Sequence, residues 1–372
     1  MASTVIVPLT GVRLDPEGGL LRDYTLPAEH RTENYLSRYD RLTVVYDCVW
    51  SEAMKAHVLN APPFLNLWEP FRASLTRDGA PVRDLRRIRY ERCEQLVVPG
   101  PRGQLGCTLG GQSFAIETRE PQAAPLAGLN AVLALNFNNR LEWIADWARF
   151  YVARHGAEAA VIVDNGSTDY GCDEIAATLA GIDGLRHAVI YSAPFPYGPI
   201  SGGPKGFVSA KFFQMAMLNT ARRDALARAA AVLSVDIDEI VDGPEGRTVF
   251  EAARRHPLGM LTIKGYYAYP ERPDMIPARH GAHRFRADPN RQCNRKWCLV
   301  PSRLFGRAFR WHPHQIGGIL QNAFTEQNAF FHNHCYGCTT GWKAKRLDFD
   351  VTLKRDPGLD ALMDRYFPAV ES

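Results

Sequence analysis

The chain has 372 residues, of which 46% are hydrophobic and 23% are charged, and its formal net charge at pH 7 is +4. The composition is that of an ordinary globular protein, and the length favours one large α/β domain with a smaller one. A charge this small gives no reason to expect a nucleic-acid partner, and no apolar run is long enough to span a bilayer.

The N-terminal stretch MASTVIVPLTGVRLDPEGG lacks the basic and then apolar pattern of a signal peptide. We therefore expect a cytoplasmic protein. Eight cysteines are few for a chain of this length, so no disulfide scaffold is implied and most of them are expected to be reduced thiols.

Residues 1–125 are expected to form a small β-rich domain of sandwich or barrel type. Short segments rich in β-branched and aromatic residues alternate there with proline- and glycine-bearing turns. These segments are TVVYDCVW, FRASLTR, RRIRYERCEQLVV and SFAIETRE. No catalytic constellation is apparent in them. REPQAAPLAG, residues 119–128, has the polar, proline-bearing composition of a linker.

From residue 130 the pattern alternates strand and helix, which predicts a parallel sheet. NAVLALNF predicts the first strand, the following segment predicts a helix that ends at Gly156, and AAVIVDNGSTD predicts a second strand that ends in Asp164. CDEIAATLAGI and LRHAVIYS predict another helix and strand. A long helix capped by Ser209 then leads to residue 231. Neither a dinucleotide fingerprint nor a Walker loop follows the first strand.

The segment AVLSVDIDEIV, residues 231–241, ends an apolar run in acidic residues. In a strand, side chains two apart share a face, so Asp236 and Asp238 would point the same way. A hard divalent cation such as Mg²⁺ or Mn²⁺ relieves the repulsion between two such carboxylates and keeps positions open for phosphate oxygens. The alternative is a surface turn after a buried strand. Ligands of open parallel sheets bind beyond the carboxyl ends of the strands, where Asn136 and Asp164 are also expected.

Several segments, taken in order, resemble glycosyltransferase family 92, whose members have the GT-A fold and are related to family 2 glycosyltransferases. The resemblance covers residues 130–346 and depends on NFNNRLEWIADWARFYVARHGAEAAVIVDNGSTD, VLSVDIDEIV, RKWCLVPSRLF with WHPHQI, FHNHCY and GWKAKR. It implies a Rossmann-like GT-A domain with a mixed, mostly parallel sheet over residues 130–350, preceded by the β-rich domain. Residues 351–372 would form a C-terminal helical tail.

The activity that the resemblance implies is metal-dependent, inverting transfer of a hexose to a glycan acceptor in polysaccharide or glycoconjugate synthesis. The donor would be a UDP-sugar, typically UDP-galactose, and the cofactor would be Mn²⁺ or Mg²⁺.

Two other function classes stay open. A nucleotidyltransferase acting on sugar phosphates would normally carry a glycine-rich, basic first loop, which NFNNR is not. A non-catalytic carbohydrate-binding protein would not need the intact D-x-D.

The resemblance also implies roles for single residues. Asp236 and Asp238 would bind the metal and the donor diphosphate, with Glu239 beside them. Asp164 would bind the nucleoside, since a carboxylate can accept a hydrogen bond from uracil N3–H or from a ribose hydroxyl; alternatively, Asp164 and Ser167 stabilise an Asx-type turn. The complete set for the nucleotide is Asn136, Asn138, Arg140, Asp164, Ser167, Lys211, Gln214 and Asp236, and the set for catalysis is Glu239, Asp238 and His334.

Two H-x-H pairs follow the carboxylates, and strand alternation would put each pair on one face. One of them could supply a third metal ligand. We favour His314, of the pair with His312, and place His334, of the pair with His332, second. Basic candidates for the diphosphate or an anionic acceptor are Arg295, Lys296, Lys343 and Arg346.

The acceptor side is where the sequence departs from the family, because Ile240, Cys335 and Tyr336 replace the residues expected there. Residues 265–290 show no sustained period, which predicts either a binding loop or a solvated surface loop. In this segment Tyr266, Tyr267 and Tyr269 could stack on sugar rings, and Arg279, Arg284 and Arg286 could bind an anionic glycan or a lipid-linked acceptor. The general base is left open among Glu239, Glu271, Asp274 and Glu326.

Charge and cysteine spacing give two further hypotheses. Residues 272–310 hold ten Arg and Lys against two acids, which is compatible with peripheral contact to an anionic membrane. A tetrahedral zinc site, with His332 or His334 as substitute ligands, could form from Cys293, Cys298, Cys335 and Cys338. Unlinked thiols are the alternative.

Overall fold

The computed structural model describes residues 1–199, 207, 209–340 and 349–367. The chain divides into two compact units. Unit 1 consists of Met1–Val7, Ala123–Ser192 and Ala225–Ser372, and unit 2 consists of Pro8–Gln122 and Ala193–Asp224. Within the described ranges, no helix is both long and apolar enough to cross a membrane.

The described residues form strands β1–β21 and helices α1–α9. In chain order the strands are Ser3–Pro8, Val12–Arg13, Thr43–Val45, Asp47–Ser51, Ala56–Ala61, Thr76–Arg77, Ala80–Pro81, Arg86–Arg89, Glu94–Pro99, Leu105–Leu109, Gln112–Ile116, Asn130–Asn136, Ala159–Asp164, His187–Ser192, Ala231–Ser234, Glu239–Asp242, Met260–Ala268, Phe285–Ala287, Gln292–Leu299, Glu326–Cys335 and Leu353–Arg355. The helices are Glu33–Arg38, Trp68–Ser74, Leu141–His155, Cys172–Ala180, Phe212–Arg223, Val249–Arg255, Leu304–Ala308, Ile319–Thr325 and Pro357–Tyr366.

Unit 1 is built on a nine-stranded mixed sheet of order β1-β14-β13-β12-β15-β19-β17-β20-β16. Strand β12 pairs in parallel with β13 and β15, and β13 pairs in parallel with β14. Beyond β15 the ladders β15–β19, β17–β19 and β16–β20 are antiparallel, whereas β17–β20 is parallel. The predicted α/β class with a large central sheet is confirmed.

The helix α3 shows why this part of the sequence folds as predicted. Trp143, Trp147 and Phe150 are buried in the core of unit 1, together with apolar residues of β12 and β13. Gly156 adopts the left-handed φ of 68° that a residue with Cβ adopts only at a cost, and its N–H closes the helix on the carbonyl of Val152 at 3.0 Å.

Unit 2 contains two four-stranded sheets, β11-β10-β6-β7 and β4-β5-β9-β8, and it also holds α5. Arg119 links these parts, because its guanidinium lies 2.7 Å from Asp47 and 2.6 Å from Asp224, which directly follows α5. Both aspartates are buried. One segment differs from its prediction: FRASLTR was expected in a strand, but its first four residues complete α2.

Two segments near the strand ends of unit 1 also differ from prediction. The chain does not form one strand over residues 231–241: β15, the central strand of the sheet, ends at Ser234, and β16 begins at Glu239 as an edge strand. Residues 265–290 are not wholly irregular, since β17 extends to Ala268 and β18 follows, with short 3₁₀ turns at Pro273–Met275 and His280–Ala282. The C-terminal part holds β21 and α9.

Candidate functional site

The turn of residues 235–238, which joins β15 to β16, carries the two predicted metal-binding carboxylates. The prediction that Asp236 and Asp238 share the face of a strand is wrong, because the strand has already ended. Two hydrogen bonds close the turn: the N–H of Glu239 donates to the carbonyl of Asp236 at 3.1 Å, and the N–H of Asp236 donates to Glu239 Oε2 at 2.9 Å. Val235 and Ile237 point into the core, each 1% exposed.

The remaining carbonyls of the turn are held from three other elements. His280 Nε2 donates to the carbonyl of Ile237 at 2.8 Å, and the N–H of Cys335 donates to the carbonyl of Asp238 at 2.7 Å. The hydroxyl of Tyr151, on α3, donates to the carbonyl of Glu239 at 3.0 Å. Because the carbonyls of Asp236, Ile237 and Asp238 each have a fixed partner, the backbone that carries the two carboxylates is positioned before any ligand binds.

Lys296 lies beneath the turn and is 2% exposed. From β19 its Nζ reaches Asp236 Oδ2 at 2.6 Å and Glu239 Oε2 at 2.8 Å. Burial lowers the pKa of Lys296, but the two carboxylates outweigh burial and raise it. Burial likewise raises the pKa of Glu239, but Lys296 and the neighbouring histidines hold it well below its usual range. Both groups are therefore charged at neutral pH.

His334 is the cross-strand neighbour of Glu239 in the β16–β20 ladder. Its Nδ1 lies 3.1 Å from Glu239 Oε1, and an ionised carboxylate only accepts, so Nδ1 carries a proton. Its Nε2 lies 3.2 Å from Asp238 Oδ2 and has no hydrogen bond of normal geometry to the described residues. Burial lowers the pKa of His334, but Asp238 and Glu239 outweigh it and raise this pKa to about 9.

Among the described residues, the ligand atoms of Asp238, Glu239 and His334 lie within 4.8 Å of one another, a grouping able to hold a metal ion. Our first choice of histidine, His314, is not in this group. It lies in irregular chain between α7 and α8, with Nε2 3.4 Å from an asparagine amide, and burial and Lys296 lower its pKa to about 4. The structure thus brings the second-choice histidine next to the carboxylates.

Only one H-x-H pair lies on a strand. As alternation predicts, His332 and His334 share a face of β20, and His332 Nδ1 lies 3.8 Å from Glu239 Oε1. His312 and His314 lie outside the described strands.

Asp164 ends β13 beside Asn136, its partner in the parallel β12–β13 ladder. The Asn136 amide donates to Asp164 Oδ1 at 2.7 Å, and the Ser167 hydroxyl donates to the same oxygen at 2.6 Å. The backbone N–H groups of Gly166 and Ser167 donate to Oδ2 at 3.2 and 2.9 Å. These four donors use the four lone-pair positions of the buried carboxylate, which favours the turn-stabilising role over the nucleoside contact.

The other residues predicted to bind nucleotide lie in two places. Asn138, with a φ of 53°, bridges the two strand-end loops, because its Oδ1 accepts from the N–H of Thr168 at 2.8 Å. Arg140 is exposed at the start of α3. Lys211 and Gln214 belong to unit 2, where Gln214 Oε1 accepts from a tyrosine hydroxyl at 3.3 Å.

The arginines predicted to bind an anionic acceptor take part in ion pairs that hold the fold together. Arg284 contacts two aspartates of α9 at 2.7 and 3.3 Å, and Arg286 contacts the aspartate that caps this helix at 2.8 Å. Arg279 makes a two-pronged contact with an aspartate of α3 at 2.6 and 3.0 Å. Arg295 lies 3.0 Å from Glu326. Lys343 and Arg346 lie outside the described residues.

The aromatic candidates lie closer to the carboxylates. The Tyr267 ring lies 5.0 Å from the His334 ring in an edge-on arrangement, and Tyr269 stacks on Tyr336 at 5.0 Å. Glu271 and Asp274, two of the base candidates, are on the surface.

Sequence reasoning missed two residues that are distant from the turn in the chain but donate hydrogen bonds to its carbonyls. His280 and the α3 tyrosine, Tyr151, contact it across more than forty residues of chain, as their sequence separations of 43 and 88 show. Lys296 was assigned to ligand binding, whereas the structure pairs it with the carboxylates. The available signal was its position directly before the apolar run WCLV, which predicts a buried charge.

Among known proteins, only solved structures resemble this chain, and they do so distantly. No family model matches the chain, and no curated protein does. A mannosyltransferase, PcManGT from Pyrobaculum calidifontis, in complex with GDP-Man and Mn²⁺, aligns over 49% of this chain and 48% of its own at 16% identity, with a TM-score of 0.26. The mannosyltransferase Ktr4p from S. cerevisiae aligns over 42% of this chain and 44% of its own at 14% identity, with a TM-score of 0.24.

An active-site mutant of LgtC aligns over 59% of this chain and 94% of its own at 15% identity, with a TM-score of 0.30. This chain spans less than half the length of the two mannosyltransferases. Likeness at these TM-scores is too distant to assign the chain to a family.

Proposed function

We propose that unit 1 is a cation-dependent glycosyltransferase. It takes a hexose, galactose by the family resemblance, from a UDP-sugar and transfers it with inversion to a glycan acceptor. The observation that carries the proposal is a distance of 3.2 Å between Asp238 Oδ2 and His334 Nε2. Asp238 lies in the turn after β15, which pairs in parallel with β12, and His334 lies on β20. Ligands of open α/β sheets bind beyond this end of such strands.

The residues present fit a divalent cation such as Mn²⁺ or Mg²⁺. Asp238 offers a hard carboxylate oxygen, and His334 offers an imidazole nitrogen once the cation displaces the proton on Nε2. This combination of oxygen and nitrogen favours Mn²⁺ over Mg²⁺. Glu239 accepts from the other ring nitrogen of His334, which is how ligating histidines are commonly oriented. Since Lys296 neutralises Asp236 and Glu239, we assign the cation to Asp238 and His334, and make Glu239 a positioning residue.

A cation held there supplies charge neutralisation to the departing nucleoside diphosphate. The turn contributes carboxylates whose backbone is already fixed. Asp236, with a side chain 40% exposed, is available to accept a hydrogen bond from a donor hydroxyl.

Glu239 is a weak base because its pKa is lowered. The proton of the attacking hydroxyl therefore goes to another carboxylate, and the surface residues Glu271 and Asp274 remain candidates for this role.

The acceptor that we propose is a lipid-linked glycan at an anionic membrane. Residues 289–325 contain six Arg and Lys and no acid. Four large apolar side chains in the same stretch are exposed: Leu304 at 54%, Ile319 at 83%, Leu320 at 42% and Phe324 at 61%. Exposed apolar residues among cations are typical of surfaces that rest on anionic lipid.

Sedimentation with vesicles tests this surface. The protein should bind phosphatidylglycerol vesicles and not phosphatidylcholine vesicles, and Ile319→Ser with Phe324→Ser should release it. Leu36→Ser is the control, because it removes an exposed side chain of unit 2 that is the same size as that of Ile319. Equal binding to both lipids, or unchanged binding of the double variant, would exclude the membrane contact.

Incubation with UDP-sugars and Mn²⁺, scored for UDP release on addition of glycan acceptors, tests the activity itself. We expect transfer that is abolished by chelator and by Asp238→Asn or His334→Gln, and retained in His314→Gln. The His314 variant is the matched control, because it removes the histidine that the sequence favoured and the structure does not group with the carboxylates. Pyrophosphate release from UTP and a sugar phosphate would favour the nucleotidyltransferase instead.

A further inference from the structure

A second cluster of metal-ligating side chains lies where the chain leaves β20. The Sγ atoms of Cys335 and Cys338 and a ring nitrogen of His283 lie within 4.8 Å of one another. His283 is fully buried, and the two cysteines are 0% and 2% exposed. The C-x2-C spacing is one that zinc sites use.

The histidine of this cluster is oriented as a metal ligand. His283 Nδ1 lies 3.0 and 3.1 Å from the carbonyls of Arg279 and His280, which only accept, so Nδ1 carries the proton. Its Nε2 therefore carries the lone pair, which accepts the N–H of Gly337, one of the two residues between the cysteines, at 2.8 Å. A metal ion bound to Nε2 would take the place of this N–H. Ligating histidines typically donate their other N–H to a backbone carbonyl in this way. Close approach also needs the glycine, since a Cβ at Gly337 would lie 2.9 Å from Nε2.

The ligand set differs from the one that the cysteine pattern suggested. Cys293 and Cys298 lie on β19, where Cys298 is part of the core of unit 1 and Cys293 Sγ lies 3.9 Å from His332 Nε2. Neither is grouped with Cys335 and Cys338 among the described residues. His283 takes the position that the pattern gave to a cysteine.

We propose that Cys335, Cys338 and His283 hold one zinc ion through two thiolates and Nε2. Binding releases two thiol protons, one of which Cys338 now donates to a backbone carbonyl at 3.3 Å. Two thiolates balance the charge of Zn²⁺, which suits a buried site.

Such a zinc ion would stabilise the walls of the candidate active site. Cys335 follows His334 directly, and its N–H holds the carbonyl of Asp238. His280, three residues before His283, holds the carbonyl of Ile237. Zinc would tie these two supports to each other, so its role is structural and separate from that of the cation assigned to Asp238 and His334.

The test is the zinc content of the chain purified without chelator, measured by mass spectrometry of the metal. We expect one zinc per chain in the wild type and in Cys293→Ser, and almost none in Cys338→Ser or His283→Gln. Cys293→Ser is the matched control, since it separates this ligand set from the four-cysteine set. X-ray absorption at the zinc edge of the wild type needs no variant and should show two sulfur neighbours at about 2.3 Å.

Three results would overturn the proposal. Zinc lost from Cys293→Ser would support the four-cysteine set. Zinc retained in Cys338→Ser but lost from His334→Gln, with no sulfur neighbours in the absorption spectrum, would place the metal at the carboxylates. A zinc-free protein with Cys335 and Cys338 joined in one disulfide-linked peptide would assign the pair to redox chemistry.

Discussion

Replacing Lys296 by methionine tests whether the carboxylates of the site depend on a buried ammonium. The change keeps an unbranched side chain, shorter by the terminal nitrogen, and removes its charge. Asp236 and Glu239 then lose the group that lies 2.6 and 2.8 Å from their oxygens. Glu239, only 3% exposed, cannot recover this interaction from water.

The size of the effect follows from the geometry. At 2.8 Å and an effective dielectric of about 20, the attraction between Lys296 and Glu239 is about 6 kcal/mol, opposed by several kcal/mol of desolvation for each ion. Asp236, 40% exposed, contributes little because water screens it. Removing one partner of a buried pair leaves the other uncompensated, so we expect the free energy of unfolding to fall by about 3 to 5 kcal/mol.

Urea unfolding at pH 7 in the presence of chelator measures this loss. The control is Lys264→Met on the neighbouring strand β17, whose pair with Glu326 spans 3.0 Å but is 30% and 27% exposed, and it should cost no more than about 1 kcal/mol. The double variant Lys296→Met with Glu239→Gln should be more stable than Lys296→Met alone, because the uncompensated charge is gone. Equal losses for the two lysine variants, or a double variant less stable than Lys296→Met, would refute the reasoning.

Three further predictions concern other parts of the chain. Asp164→Asn should lower the free energy of unfolding by about 1 to 3 kcal/mol, since the amide opposes the donors around it; unchanged stability with weaker UDP binding by calorimetry would favour the nucleoside contact instead. Arg119→Ala should cost about 3 to 5 kcal/mol in urea unfolding by removing the guanidinium that two buried aspartates share, against about 1 kcal/mol or less for Glu120→Ala, which breaks an exposed pair of the same unit. His155, whose pKa burial lowers to about 3, must stay neutral in the fold, because Nε2 donates to a carbonyl and Nδ1 accepts an N–H. Its contribution is present above the unfolded pKa of about 6.5 and is lost as pH falls, so the stability difference between wild type and His155→Gln should shrink by about 2 kcal/mol from pH 7 to pH 5, and a constant difference would contradict this.

The sequence predicted those elements whose signals are local. Helix α3 has its apolar residues and its terminal Gly156 within one stretch of chain, and the apolar runs of β12 and β13 lie between clear turns. Helix α5 was predicted to run further, but Asp224 leaves the helix to pair with Arg119, more than one hundred residues earlier. No local pattern encodes such a contact.

The same limit applies to the candidate site: features set by nearby residues were predictable, and features that depend on distant contacts were not. Spacing was enough to place His332 and His334 on one face of a strand. It also singled out Asp238, whose role stays a prediction. The choice between His314 and His334 could not, because it depends on β20 pairing with β16 across the sheet. The strand expected through Asp236 failed because Lys296, from β19, stabilises a turn there.

Unit 2 is interrupted in sequence, since Ala193–Asp224 completes a body begun by Pro8–Gln122. During synthesis the part of unit 2 that Ala193–Asp224 supplies is therefore missing until the ribosome has passed residue 224, by which time β12, β13 and β14 of unit 1 have already been made. A truncated product that stops at residue 122 lacks α5 and Asp224, one of the two carboxylate partners of Arg119. It would be a target for chaperones and proteases rather than a module that can be excised.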